Sequence, residues 1–310
     1  MTRALLLTLA ALAAVAGCQK EAAKETPAPA PAAPAGADPW KAKAAVKDPL
    51  PHPLFWSATK DGKTLYMLGT IHMGVDAETR LPEVVWQKLD ASPAFAMETD
   101  LSDPGLSKEL MAPQTGSLHE QLGDADWQKL GTILGKRQVQ QLEHMRPMLA
   151  AMEIELAGMP PTAPMDAVLL GHAQNKGKRI IYLEPAKLQE DVLMKWLDVR
   201  ALKLAIEHYE EGKTKLADLL ASYVEGDETK MNKLTEDEHA DAIKYGYTEE
   251  EYAAEQDDLL YKRNASWIPE LEQLHDAGGG FVAVGAMHYL GPKGVLALLQ
   301  ADGYTVERLH

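Results

Sequence analysis

Cysteine is nearly missing: the 310-residue chain has 1, Cys18. Its position near the start leaves the body of the protein without disulfides, cysteine nucleophiles or thiolate-ligated zinc. Any metal there must be held by histidine nitrogen and carboxylate oxygen. Basic residues are in deficit, with 31 Lys+Arg against 46 Asp+Glu and a net charge of −15. Such a balance offers no basic stripe for phosphates and excludes a nucleic-acid groove binder. No apolar run reaches the roughly 20 residues of a membrane span. Gly-x-Ser-x-Gly, Walker A, His-Glu-x-x-His and Gly-x-Gly-x-x-Gly patterns are all absent, so serine-hydrolase, nucleotide-binding and zincin chemistry have no motif behind them. What remains, 46% hydrophobic and 25% charged, is the composition of a globular protein with a substantial core.

The first 17 residues read as a targeting segment. Arg3 precedes an apolar run from Ala4 to Ala16, and Val15-Ala16-Gly17-Cys18 closes it with small residues. This resembles a bacterial lipoprotein signal, with cleavage before Cys18 and lipid on its thiol. Gln19 rather than Asp after the cysteine points to the outer membrane of the cell envelope, facing the periplasm, with the lipid as the only membrane contact. Residues 18–50 are Ala- and Pro-rich, with Pro27, Pro29, Pro31 and Pro34 interleaved with Ala. They read as an extended tether. The folded domain is expected over residues 51–310.

Two short apolar runs, Leu54 to Thr59 and Thr64 to Leu68, flank Asp61-Gly62 and predict a hairpin. Pro82 marks the start of a helix reaching Leu89. Ala94 to Met97, Arg179 to Leu183 and Phe281 to Val284 read as buried strands, and Tyr304 to Leu309 alternates like an edge strand. Most of the sequence between Ser107 and His275 is helical in pattern, and the acidic stretch from Glu225 to Glu255 reads as a solvated face. The fold expected is α/β: a mixed central sheet with flanking helices, two pseudo-repeated halves and a largely helical middle.

Each half carries the same device. Leu65-Tyr66-Met67-Leu68 leads into Gly69-Thr70-Ile71-His72, and Phe281-Val282-Ala283-Val284 leads into Gly285-Ala286-Met287-His288. A strand ends at a glycine and a histidine follows three residues later. Ligands of α/β proteins gather beyond strand carboxyl ends, where glycine allows close backbone approach. Glu98 follows a third strand, with Asp100 competing for its role. His72, Glu98 and His288 can together ligate a divalent ion, or Glu98 can act as general base.

These motifs, with Met97-Glu98, the tail Tyr289-Leu290-Gly291-Pro292-Lys293-Gly294 and Gly303-Tyr304-Thr305-Val306, resemble the TraB/GumN family. That family is similar to the Tiki proteases and, more distantly, to erythromycin esterases and ChaN-like haem-binding lipoproteins. The resemblance implies metal-dependent, peptidase-like hydrolysis with Mn, Co or Zn, acting on a peptide or small-molecule substrate. It places His72, Glu98, Arg263 and His288 in the active constellation, with His72, Glu98 and His288 on the metal and Asn264 as a neighbour. Asp166, Glu184 and Gln189 fall where the family has comparable residues. A metal-free division, with Glu98 or one histidine as base, is the reading the esterases allow. A haem- or small-ligand-binding lipoprotein without catalysis is the alternative.

Overall fold

The computed structural model describes residues 48–100, 102–103 and 108–310. The targeting segment, Cys18 and nearly all of the tether lie outside the described residues. Among the described residues no helix is long and apolar enough to cross a membrane.

Six strands form one sheet in the order β4-β3-β5-β2-β1-β6. They are β1 (Phe55–Lys60), β2 (Lys63–Thr70), β3 (Ala94–Met97), β4 (Arg179–Tyr182), β5 (Gly280–Gly285) and β6 (Thr305–Arg308). The expected hairpin is present. β1 and β2 pair antiparallel, and Asp61 and Gly62 turn between them with φ of 50° and 75°, the positive pair that a two-residue hairpin loop requires. β2, β5, β3 and β4 run parallel. The central strands β3 and β5 are buried at every position, as strands covered by helices on both faces must be. β4 departs from expectation. Its only neighbour is β3, so it forms a sheet edge and Arg179 to Tyr182 stay partly exposed. β6 closes the other edge with the alternating burial its sequence predicts.

All three phenylalanines stand on the sheet, and Phe281 packs against Phe55 and Phe95 with ring centroids 5.7 and 6.2 Å apart. They anchor a core shared by the sheet and its covering helices. A second core lies among helices that include Pro147–Gly158, Ala186–Trp196 and Val199–Glu207. Met287 packs against both cores and Met73 against the second. The residues next to the two key histidines therefore mark the seam between sheet and helical unit. In the acidic stretch, the helix Glu228–Lys244 is largely solvated as expected, but Glu238 and Glu255 turn inward.

Candidate functional site

The late strand β5 inserts between β2 and β3, with Thr70 beside Gly285 and Met97 beside Ala283. Sequence-distant strand ends thus open onto one place. His72 follows β2, Glu98 follows β3, Glu184 follows β4 and His288 follows β5. Past the strand ends the β3–β4 ladder continues, with Leu183 N–H donating to the Met97 carbonyl and Glu184 N–H to the Glu98 carbonyl. That holds the two glutamates side by side. Asp100 is not among them; it accepts from Ser102 in an exposed turn.

His72 is held by one nitrogen. Met165 N–H donates to the His72 carbonyl at 2.9 Å, which sets the first turn of the helix Met165–Asn175 against β2. Asp166 in that turn meets the imidazole, Nδ1 to Oδ2 at 2.7 Å, and its other oxygen accepts from Thr70 Oγ1 at 2.9 Å. The opposite ring nitrogen, Nε2, is buried and has no hydrogen-bond partner. Burial alone would lower the imidazole's proton affinity. The charge and hydrogen bond of Asp166, aided by Glu98, outweigh it and raise the pKa above its ordinary 6.5.

His288 is tied at both nitrogens. Asn264 Nδ2 donates to the Lys293 carbonyl, so its Oδ1 faces His288 and accepts from Nδ1 at 2.6 Å. Nε2 must then carry the lone pair, and it accepts from Arg263 Nη1 at 3.3 Å. Burial, with the positive charges of Arg263 and His72 adding to it, presses the pKa down to about 3 despite Glu98. His288 is a neutral imidazole at any ordinary pH.

Arg263 binds the cluster together. Immediately before it, Asp257–Tyr261 is a turn of π-helix, a widening that recurs at functional sites, and beyond it Arg263, Asn264 and Trp267 all face inward. Nε contacts both Glu184 oxygens at 3.0 Å. Nη2 reaches Glu98 Oε2 at 2.7 Å and Glu184 Oε1 at 2.6 Å, and Nη1 reaches the Leu259 carbonyl at 2.8 Å. With the His288 contact, every guanidinium N–H has an acceptor within the protein. Arg263 therefore has no donor left for a substrate carboxylate or an oxyanion in this arrangement. Trp267 Nε1 also donates to Glu184 and its ring lies against His288.

Glu98 receives Gly285 N–H on Oε1 at 2.8 Å, and Arg263 together with Gln189 Nε2 at 3.0 Å on Oε2. Burial pushes its carboxyl up, but His288, Arg263, His72 and the Gly285 N–H hold it below the usual glutamate value. Since His288 is uncharged, the fixed charge of Arg263 is the chief cause near neutral pH. Glu184 goes the other way, because burial raises it more than Arg263 lowers it.

A divalent ion needs several convergent lone pairs. His72 Nε2 offers one and Glu98 Oε1, which accepts only the Gly285 N–H, keeps a second, but the His288 Nε2 lone pair faces Arg263. Among the described residues no group of three or more His, Cys, Asp or Glu side chains is placed to hold an ion. The guanidinium stands where a cation would neutralise the two glutamates. The His72, Glu98 and His288 set, as arranged, does not fit the metal site that the resemblance implies.

The family model described as the TraB/PrgY/gumN family matches residues 54–308. The chain belongs to the TraB/PrgY/gumN family. No curated protein and no solved structure matches it. The resemblance carried by the Gly-x-x-His motifs is thus a membership across nearly the whole folded domain. In this TraB/PrgY/gumN member the sequence-predicted residues His72, Glu98, Arg263 and His288 come together in one buried cluster, with Asp166, Glu184, Gln189 and Asn264 in direct contact with them. Other histidines are engaged elsewhere: His119 with Asp124, His144 with the Gly116 carbonyl, His172 with Asp90, His208 with Glu211, His239 with Glu249 and His275 with the Lys60 carbonyl. Thr70 lies within the first Gly-x-x-His motif, though nothing in the motif marks it as a partner of Asp166; Trp267 and the Leu259 carbonyl carried no sequence signal.

Proposed function

We propose that the chain is a hydrolase in which His72 is the general base and no metal takes part in activating water. The observation that carries this reading is the unpartnered, buried Nε2 of an imidazole whose other nitrogen is fixed by a carboxylate. That pairing orients the ring, sets Nδ1 as the protonated nitrogen and supports the imidazolium that forms on proton abstraction. Nε2 takes a proton from water, the water oxygen adds to a substrate carbonyl, and the same nitrogen returns the proton to the leaving group. Glu98, held ionised by Arg263, adds a second negative charge facing the developing imidazolium. Arg263 acts as a positioning residue for Glu98 and His288.

Every side chain of the cluster is at most 5% exposed, so substrate enters by separation along the seam that Met73 and Met287 mark. Peptides and small carbonyl compounds are the substrate classes that the family resemblance favours. The same resemblance, with the Val15-to-Cys18 sequence, supports a lipid-anchored protein of the bacterial cell envelope.

The test is hydrolysis of a mixed peptide and ester panel in buffer containing EDTA. Wild-type protein should hydrolyse at least one panel member, with His72→Ala slower by about 10²- to 10⁴-fold, the usual worth of a general base. Hydrolysis that appears only on adding Mn, Co or Zn would overturn the metal-free reading and restore the metal-dependent one.

A further inference from the structure

The partners missing from the buried cluster are all of one kind. Among its side chains, the buried atoms with no hydrogen-bond partner are His72 Nε2 and the Gln189 amide oxygen Oε1, both acceptors. Gln189 stands against Glu98, its Nε2 donating to Oε2 at 3.0 Å. Glu98 Oε1 takes only the Gly285 N–H and keeps a lone pair. Charge agrees with this inventory: the carboxyl groups of Glu98, Asp166 and Glu184 share the cluster with one fixed cation, Arg263, whose N–H groups are all engaged. An entering carboxylate finds repulsion and no guanidinium N–H. An ammonium, with three N–H donors and no acceptor, finds both lone pairs and negative charge.

Geometry fixes where that ammonium lies relative to the base. The place a Cβ would take on Gly285 is 3.3 Å from Glu98 Oε1 and 3.4 Å from His72 Nε2, so the two acceptors border one space in front of the glycine. The α-nitrogen and carbonyl carbon of one residue are about 2.5 Å apart. An ammonium on Glu98 Oε1 thus brings the first carbonyl of a peptide into the space that His72 Nε2 faces. Met73 and Met287, partly buried beside the two histidines, offer that residue's side chain an apolar surface. We propose that Glu98 Oε1, with Gln189 Oε1, holds the amino-terminal ammonium of a peptide, and that the site removes the first residue. The second half rests on the hydrolase reading. A water proton goes to His72 Nε2 and the water oxygen to the first carbonyl carbon; the C–N bond breaks with its electron pair on nitrogen, which takes the proton from Nε2. The products are a free amino acid and a peptide shorter by one residue.

The test uses a ligand that cannot be hydrolysed beside one that can. L-Phenylalaninol, which has the ammonium and no carbonyl, is titrated calorimetrically into the full chain at neutral pH with EDTA, as is N-acetyl-L-phenylalaninol. The p-nitroanilides of L-phenylalanine and N-acetyl-L-phenylalanine are assayed in the same buffer. Phenylalaninol should bind one-to-one, tighter than its N-acetyl form by about tenfold or more, the scale of a hydrogen bond to a charged group. The free anilide should exceed the blocked one in kcat/KM by a similar factor. Glu98→Gln should weaken phenylalaninol binding comparably, and Gln189→Met, which keeps the side-chain length and removes the amide acceptor, should weaken it severalfold. No saturable binding, equal binding of the two alcohols, binding that needs added Mn, Co or Zn, or undiminished binding in both variants would each overturn the ammonium site, whatever the anilides do. Equal hydrolysis of the two anilides would overturn removal of the first residue. Selective binding of phenylalaninol with neither anilide hydrolysed would overturn the hydrolase reading and leave the ammonium site in place.

Discussion

His72 and His288 occupy equivalent strand-end positions, yet their surroundings shift their proton affinities in opposite directions. His288 donates from Nδ1 and accepts at Nε2, a pattern only the neutral ring can make. Its ring should show no NMR titration until about pH 3. The sign of the linked stability follows. The unfolded histidine takes up a proton near 6.5 and the folded one near 3, so stability present above 6.5 is lost as pH falls between those values. The urea midpoint of wild type should fall on acidification from pH 7 to 4, and His288→Gln should fall less steeply; equal slopes would contradict the assignment. Glu155 shows the reverse linkage. Burial and the Glu238 charge raise its carboxyl well above the ordinary value, and neither oxygen has a hydrogen-bond partner. It therefore weakens the fold as pH rises through the ordinary glutamate range. Glu155→Met should raise stability at neutral pH by about 1–2 kcal/mol, the scale of relieving an unmatched buried group; a lower urea midpoint would refute this.

At the scale of elements, the two motif glycines have different physical reasons. A Cβ on Gly69 would meet Ala286 Cα at 3.0 Å and Cβ at 3.1 Å, so this glycine lets β2 pack against the turn after β5. A Cβ on Gly285 would instead stand 3.3 Å from Glu98 Oε1, 3.4 Å from His72 Nε2 and 3.6 Å from His288 Cδ2. Its φ of −50° suits any residue. Gly285→Ala should therefore crowd the space before the base and cut hydrolysis more than tenfold with little change in melting temperature. Gly69→Ala should lose about 1–3 kcal/mol of stability through overpacking. The reverse pattern of effects would show that the roles are exchanged. Helix geometry governs Arg263 as well. Its removal leaves Glu98 and Glu184 buried without a counter-charge, and Arg263→Met should destabilise by about 3–5 kcal/mol in urea unfolding. Arg263→Lys should not restore stability, because one ammonium cannot span Glu98, Glu184, His288 and the Leu259 carbonyl. Full rescue by lysine would refute that geometry.

Across the whole molecule, the legible parts were those written in short-range pattern. Strand ends at Gly69, Met97 and Gly285 pointed to His72, Glu98 and His288, and the Asp61-Gly62 turn fixed the hairpin. Contacts between distant segments were not legible. Asp166 meets His72 across 94 residues, and Arg263 meets Glu98 across 165; helical periodicity near either residue says nothing of what its buried face will touch. The family resemblance alone brought Arg263 and Asn264 into view. Likewise the apolar pattern of Arg179 to Leu183 could not tell a central strand from the edge it occupies, since that depends on where β5 inserts.

The central claim is that a carboxylate-held His72 is the base. The most direct measurement is the pH dependence of kcat/KM for wild type and Asp166→Asn in metal-free buffer. A base must be unprotonated to act, and Asp166 raises the proton affinity of His72. Wild-type activity should therefore rise with pH through a midpoint above 6.5, and Asp166→Asn should move that midpoint to lower pH while lowering the plateau. A midpoint unmoved by Asp166→Asn, or activity that survives in His72→Ala, would contradict the account.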